Sequence, residues 1–256
     1  MKLSTTLKNA FFYTPGSLFS NVGVLLLHEK KVQDKYQFIP IDTTQNENIT
    51  PDFIRLNPYG KVPVLIHEGI VISDSLKIAQ FLDKQQQNEM NSIDLKSEQD
   101  NIIKKVDSWR QVRLLALGKG KKSPHEKNPT IEQQLFNARQ QILTYQQDHP
   151  DLYDAYQIRL KTHDDRAKVL LDHDVYLHHE KNWYQLLDQS NQFLKKNQPY
   201  LAGSQFTLVD IYAISFLFWT QHKLDQPQLV FDSRPYLKHY YDLQLKRPSV
   251  QNAFFL

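Results

Sequence analysis

The chain has 256 residues, with 31 Lys and Arg against 28 Asp and Glu, and its net charge of +3 is too small and too scattered to point to nucleic acid. It has no cysteine, which removes disulfides, thiolate metal sites and a cysteine nucleophile, and it has only 7 glycines, with no GxGxxG or phosphate-loop pattern. A hydrophobic fraction of 40% gives ample core for one large or two small domains, and no stretch approaches the ~18 apolar residues of a membrane-spanning helix.

The apolar N-terminal region is broken by Pro15-Gly16 and lacks a small-residue cleavage site, so it does not read as a signal peptide. Together with the missing cysteines, this fits a cytoplasmic protein. Ala10 to Tyr13 reads as a first strand, ended by Thr14-Pro15-Gly16-Ser17. Ser20-Asn21 is expected to cap a first helix that runs to about Lys31. That helix is apolar on most of its circumference and should be buried. Gln37 to Ile41 reads as a second strand, and Pro51 to Leu56 as a short helix with proline at its start.

Asn57-Pro58 and Gly60 supply turn chemistry ahead of the β-branched run from Val62 to Ile66. Glu68-Gly69 can reverse the chain into Ile70-Val71-Ile72. Ser73-Asp74-Ser75 then offers cap residues for a helix with Leu76, Ile78, Ala79, Phe81 and Leu82 on its apolar face. A proline at the head of a strand leaves Val62 extended, with backbone groups able to pair with an extended peptide. Asp74-Ser75 at a helix start can receive a carboxylate through backbone N–H groups and a hydroxyl. A plain hairpin followed by a capped helix accounts for the same residues.

The polar, glutamine-rich residues after this helix read as a linker over 87–95, and the chain is helical from about residue 96. Helices are predicted over 99–117, 131–147, 152–171, 176–196 and 211–219, then from Pro235 to Leu245. Gly203 is expected to cap the helix that ends near Lys196, and Thr207 and Asp210 to form a capping box. Asp174 and His178 have metal-ligand spacing on a helix, but no HExxH pattern surrounds them, so no metal is expected.

Two motifs carry a family resemblance. Asn57-Pro58-Tyr59-Gly60-Lys61-Val62-Pro63-Val64-Leu65, followed by Asp74-Ser75, Ile78 and Phe81-Leu82, resembles the glutathione site of the glutathione S-transferase family. Leu201-Ala202-Gly203 with Phe206 to Asp210, and Arg247-Pro248-Ser249-Val250, are similar to that family's helical-domain motifs. The resemblance implies an α+β chain: a thioredoxin-like α/β domain over 1–86, then an all-α helical-bundle domain over 96–256. An extended segment near 118–179 is similar to ganglioside-induced differentiation-associated proteins and glutathione-dependent reductive dehalogenases, through residues 149–156 and 170–174.

The same resemblance implies conjugation of the glutathione thiolate to a small hydrophobic electrophile, with glutathione as co-substrate, in a cytoplasmic, detoxifying homodimer. Glutathione would be held by Lys61, Val62, Pro63, Asp74 and Ser75. Its thiol would be activated by Ser17, or by Tyr13, with Ser20 left as a helix cap. The electrophile would meet Trp109, Arg110 and Arg113, which also fit a helical core. Without a cysteine, thiol exchange and reductive dehalogenation are disfavoured. Alternatives are a non-catalytic binding or regulatory protein of the same fold, and a glutathione-dependent isomerase or ether-cleaving enzyme.

Overall fold

The computed structural model of the protein describes residues 7–85, 129–196, 198–223 and 227–255. The expected linker, and Trp109, Arg110 and Arg113, lie outside the described residues.

The chain opens with β1 (Ala10–Tyr13), α1 (Leu18–Glu29), β2 (Gln37–Pro40), α2 (Pro51–Leu56), β3 (Val64–His67), β4 (Ile70–Ser73) and α3 (Ser75–Gln85). The sheet order is β2-β1-β3-β4, with β1 and β2 parallel and the β1–β3 and β3–β4 pairs antiparallel. This is the thioredoxin-like sheet. Along β1 the side chains alternate between its faces. Phe12 meets Phe53 of α2 in a core with Ile39, Ile41, Val64 and Ile66, whereas Phe11 and Tyr13 stack on each other and meet Phe38 edge-on. The β3–β4 hairpin turns through Glu68 at φ 50° and Gly69 at φ 83°. That left-handed pair matches the twist of the strands it joins.

After α3 the described residues are helical, apart from short turns and one isolated bridge. The helices are α4 (Pro129–Asp148), α5 (Tyr153–Leu171), α6 (His173–Leu194), α7 (Leu208–Lys223), α8 (Pro235–Gln244) and α9 (Pro248–Phe254). By packing, the described residues form two compact units. The first holds 7–15, 35–78 and 129–175; the second holds 16–34, 79–85 and the described part of 176–255.

In the first unit, α4 and α5 form a helical hairpin joined by the single turn Pro150–Leu152, and this hairpin seats on α2 and the turn Glu47–Ile49. Ile142, Leu152, Tyr156 and Leu160 close a core with Ile49 and Ile54. The buried Tyr156 hydroxyl donates to the Ile49 carbonyl at 3.1 Å, Arg55 meets Asp151 at 2.7 Å, and Asn46 donates to Gln141 at 3.0 Å.

In the second unit, α1 packs on α7 and α9. The helix begins earlier than its serine and asparagine suggested. Ser20 is fully buried inside it, and Ser17 is the N-cap residue. The extra turn brings in Leu18, which is buried, and Phe19, whose ring meets Phe216 at 5.7 Å. Burial of that apolar turn outweighs the capping preference of Ser20. At the other end the helix closes in a Schellman motif: Lys31 has φ 54°, Val32 N–H donates to Leu27 and Lys31 N–H to His28.

Gly203 does not cap α6, which ends at Leu194. At φ 131° it closes a tight turn whose backbone pairs with Tyr200 in both directions at 3.2 Å. Asp210 is wholly buried and accepts from Leu201 N–H at 3.0 Å, Thr207 N–H at 2.9 Å and the Tyr240 hydroxyl at 2.8 Å. Burial pushes its pKa up despite those bonds.

Candidate functional site

Strand register brings the sequence motifs together. Phe12 lies opposite Val64, and Val64 lies opposite Ser73. The end of β1, the residues before β3 and the residues after β4 therefore share one end of the sheet. That end gathers Tyr13 and Thr14, Val62 and Pro63, and Asp74 and Ser75. The Val62-Pro63 peptide bond is cis. Val62 stands just ahead of β3, and its N–H and C=O form no backbone hydrogen bond with the described residues. An unpaired extended residue beside a sheet can pair with a peptide ligand.

The loop in front of Val62 is fastened from three sides. Gly60 N–H donates to the Asn57 carbonyl at 2.8 Å, and the buried Asn57 side chain donates to the Lys61 carbonyl at 2.7 Å. Asn48, from the turn before α2, donates to the Gly60 carbonyl at 2.7 Å. Gly60 has φ +60°, and a Cβ there would lie 2.5 Å from Arg159 Nε and 3.0 Å from the Asn48 carbonyl oxygen. Only glycine satisfies both the left-handed backbone and the close approach of these neighbours. Lys61 is exposed, and its ammonium lies 5.7 Å from the Tyr59 ring centre.

Asp74 has φ 86°, a conformation that aspartate tolerates better than most residues. One of its carboxylate oxygens accepts from Leu76 N–H at 2.9 Å and Lys77 N–H at 3.4 Å, so Asp74 caps α3. Ser75, the first residue of that helix, is buried.

Tyr13 is held at the end of β1 by ring contacts with Phe11 and Phe38. Thr14 donates to the Ile41 carbonyl at 2.6 Å. Ser17 belongs to the second unit. It has extended backbone angles of φ −74° and ψ 135° at the start of α1, and its hydroxyl makes no capping hydrogen bond. A hydroxyl left free at the positive end of a twelve-residue helix can donate to an anion.

Among the described residues, no group of three or more His, Asp or Glu side chains could hold a metal ion. His178 instead bonds Asn182 at 3.0 Å, and Asp174 N–H donates to the Asp172 carboxylate at 3.0 Å.

Sequence reading missed Asn48 and Arg159. Asn48 lay in a loop read only as polar. Arg159 falls on the α5 face that carries Tyr156, Leu160 and His163, at helical spacing. A charge inside an apolar stripe was the signal that could have found it.

Comparison with known proteins bears on the family and the fold. Residues 16–85 match the glutathione S-transferase N-terminal domain, and residues 171–248 match the glutathione S-transferase C-terminal domain. Over 244 residues the chain is 25% identical to glutathione S-transferase TCHQD of Arabidopsis thaliana, covering 94% of this chain and 88% of that one. It is also 25% identical over 243 residues to glutathione S-transferase F6 of the same plant, covering 94% of this chain and 97% of that one. Its fold is similar to the crystal structure of Gtt2 from Saccharomyces cerevisiae, with a TM-score of 0.66 at 17% identity over 95% of this chain and 99% of that one. With a thioredoxin-like sheet, helices after it and both domain signatures in order, the chain belongs to the glutathione S-transferase family.

Proposed function

We propose that the protein conjugates the glutathione thiolate to a small hydrophobic electrophile. The observation that carries this reading is the shared end of the sheet, where the backbone of Val62, without a backbone hydrogen bond to the described residues, and the start of α3 at Ser75 are brought together by the β3–β4 register. The tripeptide lies extended along Val62, next to Pro63. Its γ-glutamyl carboxylate meets Ser75 at the helix N-terminus, Asp74 receives its amino group, and Lys61 lies on the side of its glycyl end. Ser17 donates to the sulfur and favours the thiolate, which attacks the electrophile directly without a protein-bound intermediate. Its hydroxyl, not engaged in capping, supports Ser17 over Tyr13, whose ring is packed on two phenylalanines.

Trp109, Arg110 and Arg113 would line the electrophile side. The peptide backbone, γ-glutamyl end and thiol of glutathione would fall to 1–86 and electrophile binding to 96–256. The working form in this reading is a cytoplasmic homodimer, which gel filtration with light scattering checks. No described helix is long and apolar enough to cross a membrane.

Calorimetry with glutathione, followed by conjugation kinetics on a reactive aryl halide, tests the reading. Wild type is expected to bind and turn over. Ser17→Ala is expected to bind with similar affinity and to lose roughly 10- to 100-fold in kcat, the worth of a hydrogen bond to a charged group. Wild type that binds no glutathione overturns the reading. Binding without turnover leaves a glutathione-binding protein that is not an enzyme.

A further inference from the structure

Arg159 projects from α5 within the first unit and is 7% exposed. Its Nε is buried and has no hydrogen-bond partner. Two carboxylates on the same helical hairpin are engaged elsewhere. Asp151 meets Arg55 at 2.7 Å, while Asp164 meets Arg139 at 3.1 Å and His163 at 3.2 Å. Arg166, two turns on, adds like charge. Burial, and then that charge, lower the Arg159 pKa to about 10, so its guanidinium is still protonated at neutral pH.

Burying a guanidinium without an anion is costly, because water is lost and no carboxylate replaces it. The side chain is also not loosely placed. Its Cδ and Nε lie against the face of Gly60 where a Cβ would be, at 2.6 and 2.5 Å. Glycine at that point makes room for the arginine. Gly60 stands two residues before Val62, a span of about 6.6 Å of extended chain, which is within the reach of one arginine side chain.

We infer that Arg159 receives the glycyl carboxylate of glutathione. This rests on the proposed function. A tripeptide extended along Val62 with its γ-glutamyl end at Ser75 presents its other carboxylate on the side of Lys61 and Gly60, where Arg159 lies. A planar guanidinium can grip that carboxylate with two parallel hydrogen bonds. The α4–α5 hairpin is then part of the substrate site: it lends the thioredoxin-like unit a cation from outside the sheet.

The test is calorimetry of the full chain with glutathione and with its glycyl monoethyl ester, which lacks that negative charge. Wild type is expected to prefer glutathione by roughly 10- to 100-fold. R159M should lose that preference by weakening glutathione alone, with ester affinity unchanged. R159K, which keeps the charge but not the fork, should retain part of it, and gives a reading even where R159M fails to fold. Lys61→Ala should reduce the preference less than R159M does. Equal wild-type affinity for the two ligands, equal weakening of both by R159M, or a preference that survives R159M and disappears in Lys61→Ala overturns the assignment and leaves the proposed function standing. Wild type that binds neither ligand overturns both.

Discussion

At the scale of single residues, several side chains sit where their intrinsic preferences are not met. Lys31 is the plainest case. It occupies the left-handed position that closes α1, is exposed, and carries a Cβ that this backbone region disfavours. Lys31→Gly should raise stability by about 0.5–1 kcal/mol, read as an increase in the denaturation midpoint with an unchanged m-value. Ser17 is the converse. It stands at a helix start without capping the helix, so its side chain is spared for another partner. Residue-level reasoning marked Val62 and Ser75 as candidates, because strand-head and cap chemistry are local, whereas Ser17 entered through the family resemblance. The same reasoning misjudged Ser20, because the burial of Leu18 and Phe19 that sets the true helix start is not local.

At the scale of elements, the α4–α5 hairpin is the part of the first unit that lies outside the thioredoxin-like sheet and its crossover. The strands and α2 were legible in the sequence, since two-residue alternation, Pro51 and Glu68-Gly69 mark them directly. The two helices of the hairpin were legible as helices from their apolar spacing. Their seat on α2 was not, because periodicity shows that a face is buried and not what buries it. The residues that resembled the extended subgroups, 149–156, contain the fasteners Asp151, Leu152 and Tyr156.

The Tyr156 hydroxyl is the buried link. Burial, and then neighbouring Tyr145, push its pKa up, so it remains a donor to the Ile49 carbonyl across the physiological range. Tyr156→Phe should cost about 1–3 kcal/mol, since it strands a buried carbonyl. Hydrogen exchange should show the loss as faster exchange confined to the hairpin and α2. Asp151→Ala, at an exposed pair, should leave the unfolding midpoint unchanged. The hairpin also holds Arg159 over Gly60, so loosening its seat should weaken glutathione binding as well.

For the molecule as a whole, the second unit ties its first helix to its last. Arg247 donates to Glu29 through Nε at 2.9 Å and again through its terminal nitrogen, Ser249 donates to the same carboxylate at 2.6 Å, and the Arg247 guanidinium lies 3.9 Å from the Phe206 ring centre. Burial opposes ionisation of Glu29, yet the Arg247 and Ser249 hydrogen bonds hold its carboxyl below the ordinary value of 4.5. A folded pKa below the unfolded one stabilises the protein at pH values above 4.5, and that contribution is lost as pH falls through the lower folded value. Melting temperature should therefore fall on acidification below 4.5, and Glu29→Gln should flatten that part of the profile while lowering stability at neutral pH.

The central claim is that this molecule binds glutathione and makes it a thiolate. The most direct test is ultraviolet titration of the thiol in the glutathione complex against pH. Free thiols ionise near ~8.5, and the bound thiol should ionise well below that in wild type and shift back towards it in Ser17→Ala. A bound thiol that titrates like free glutathione in wild type would contradict the account.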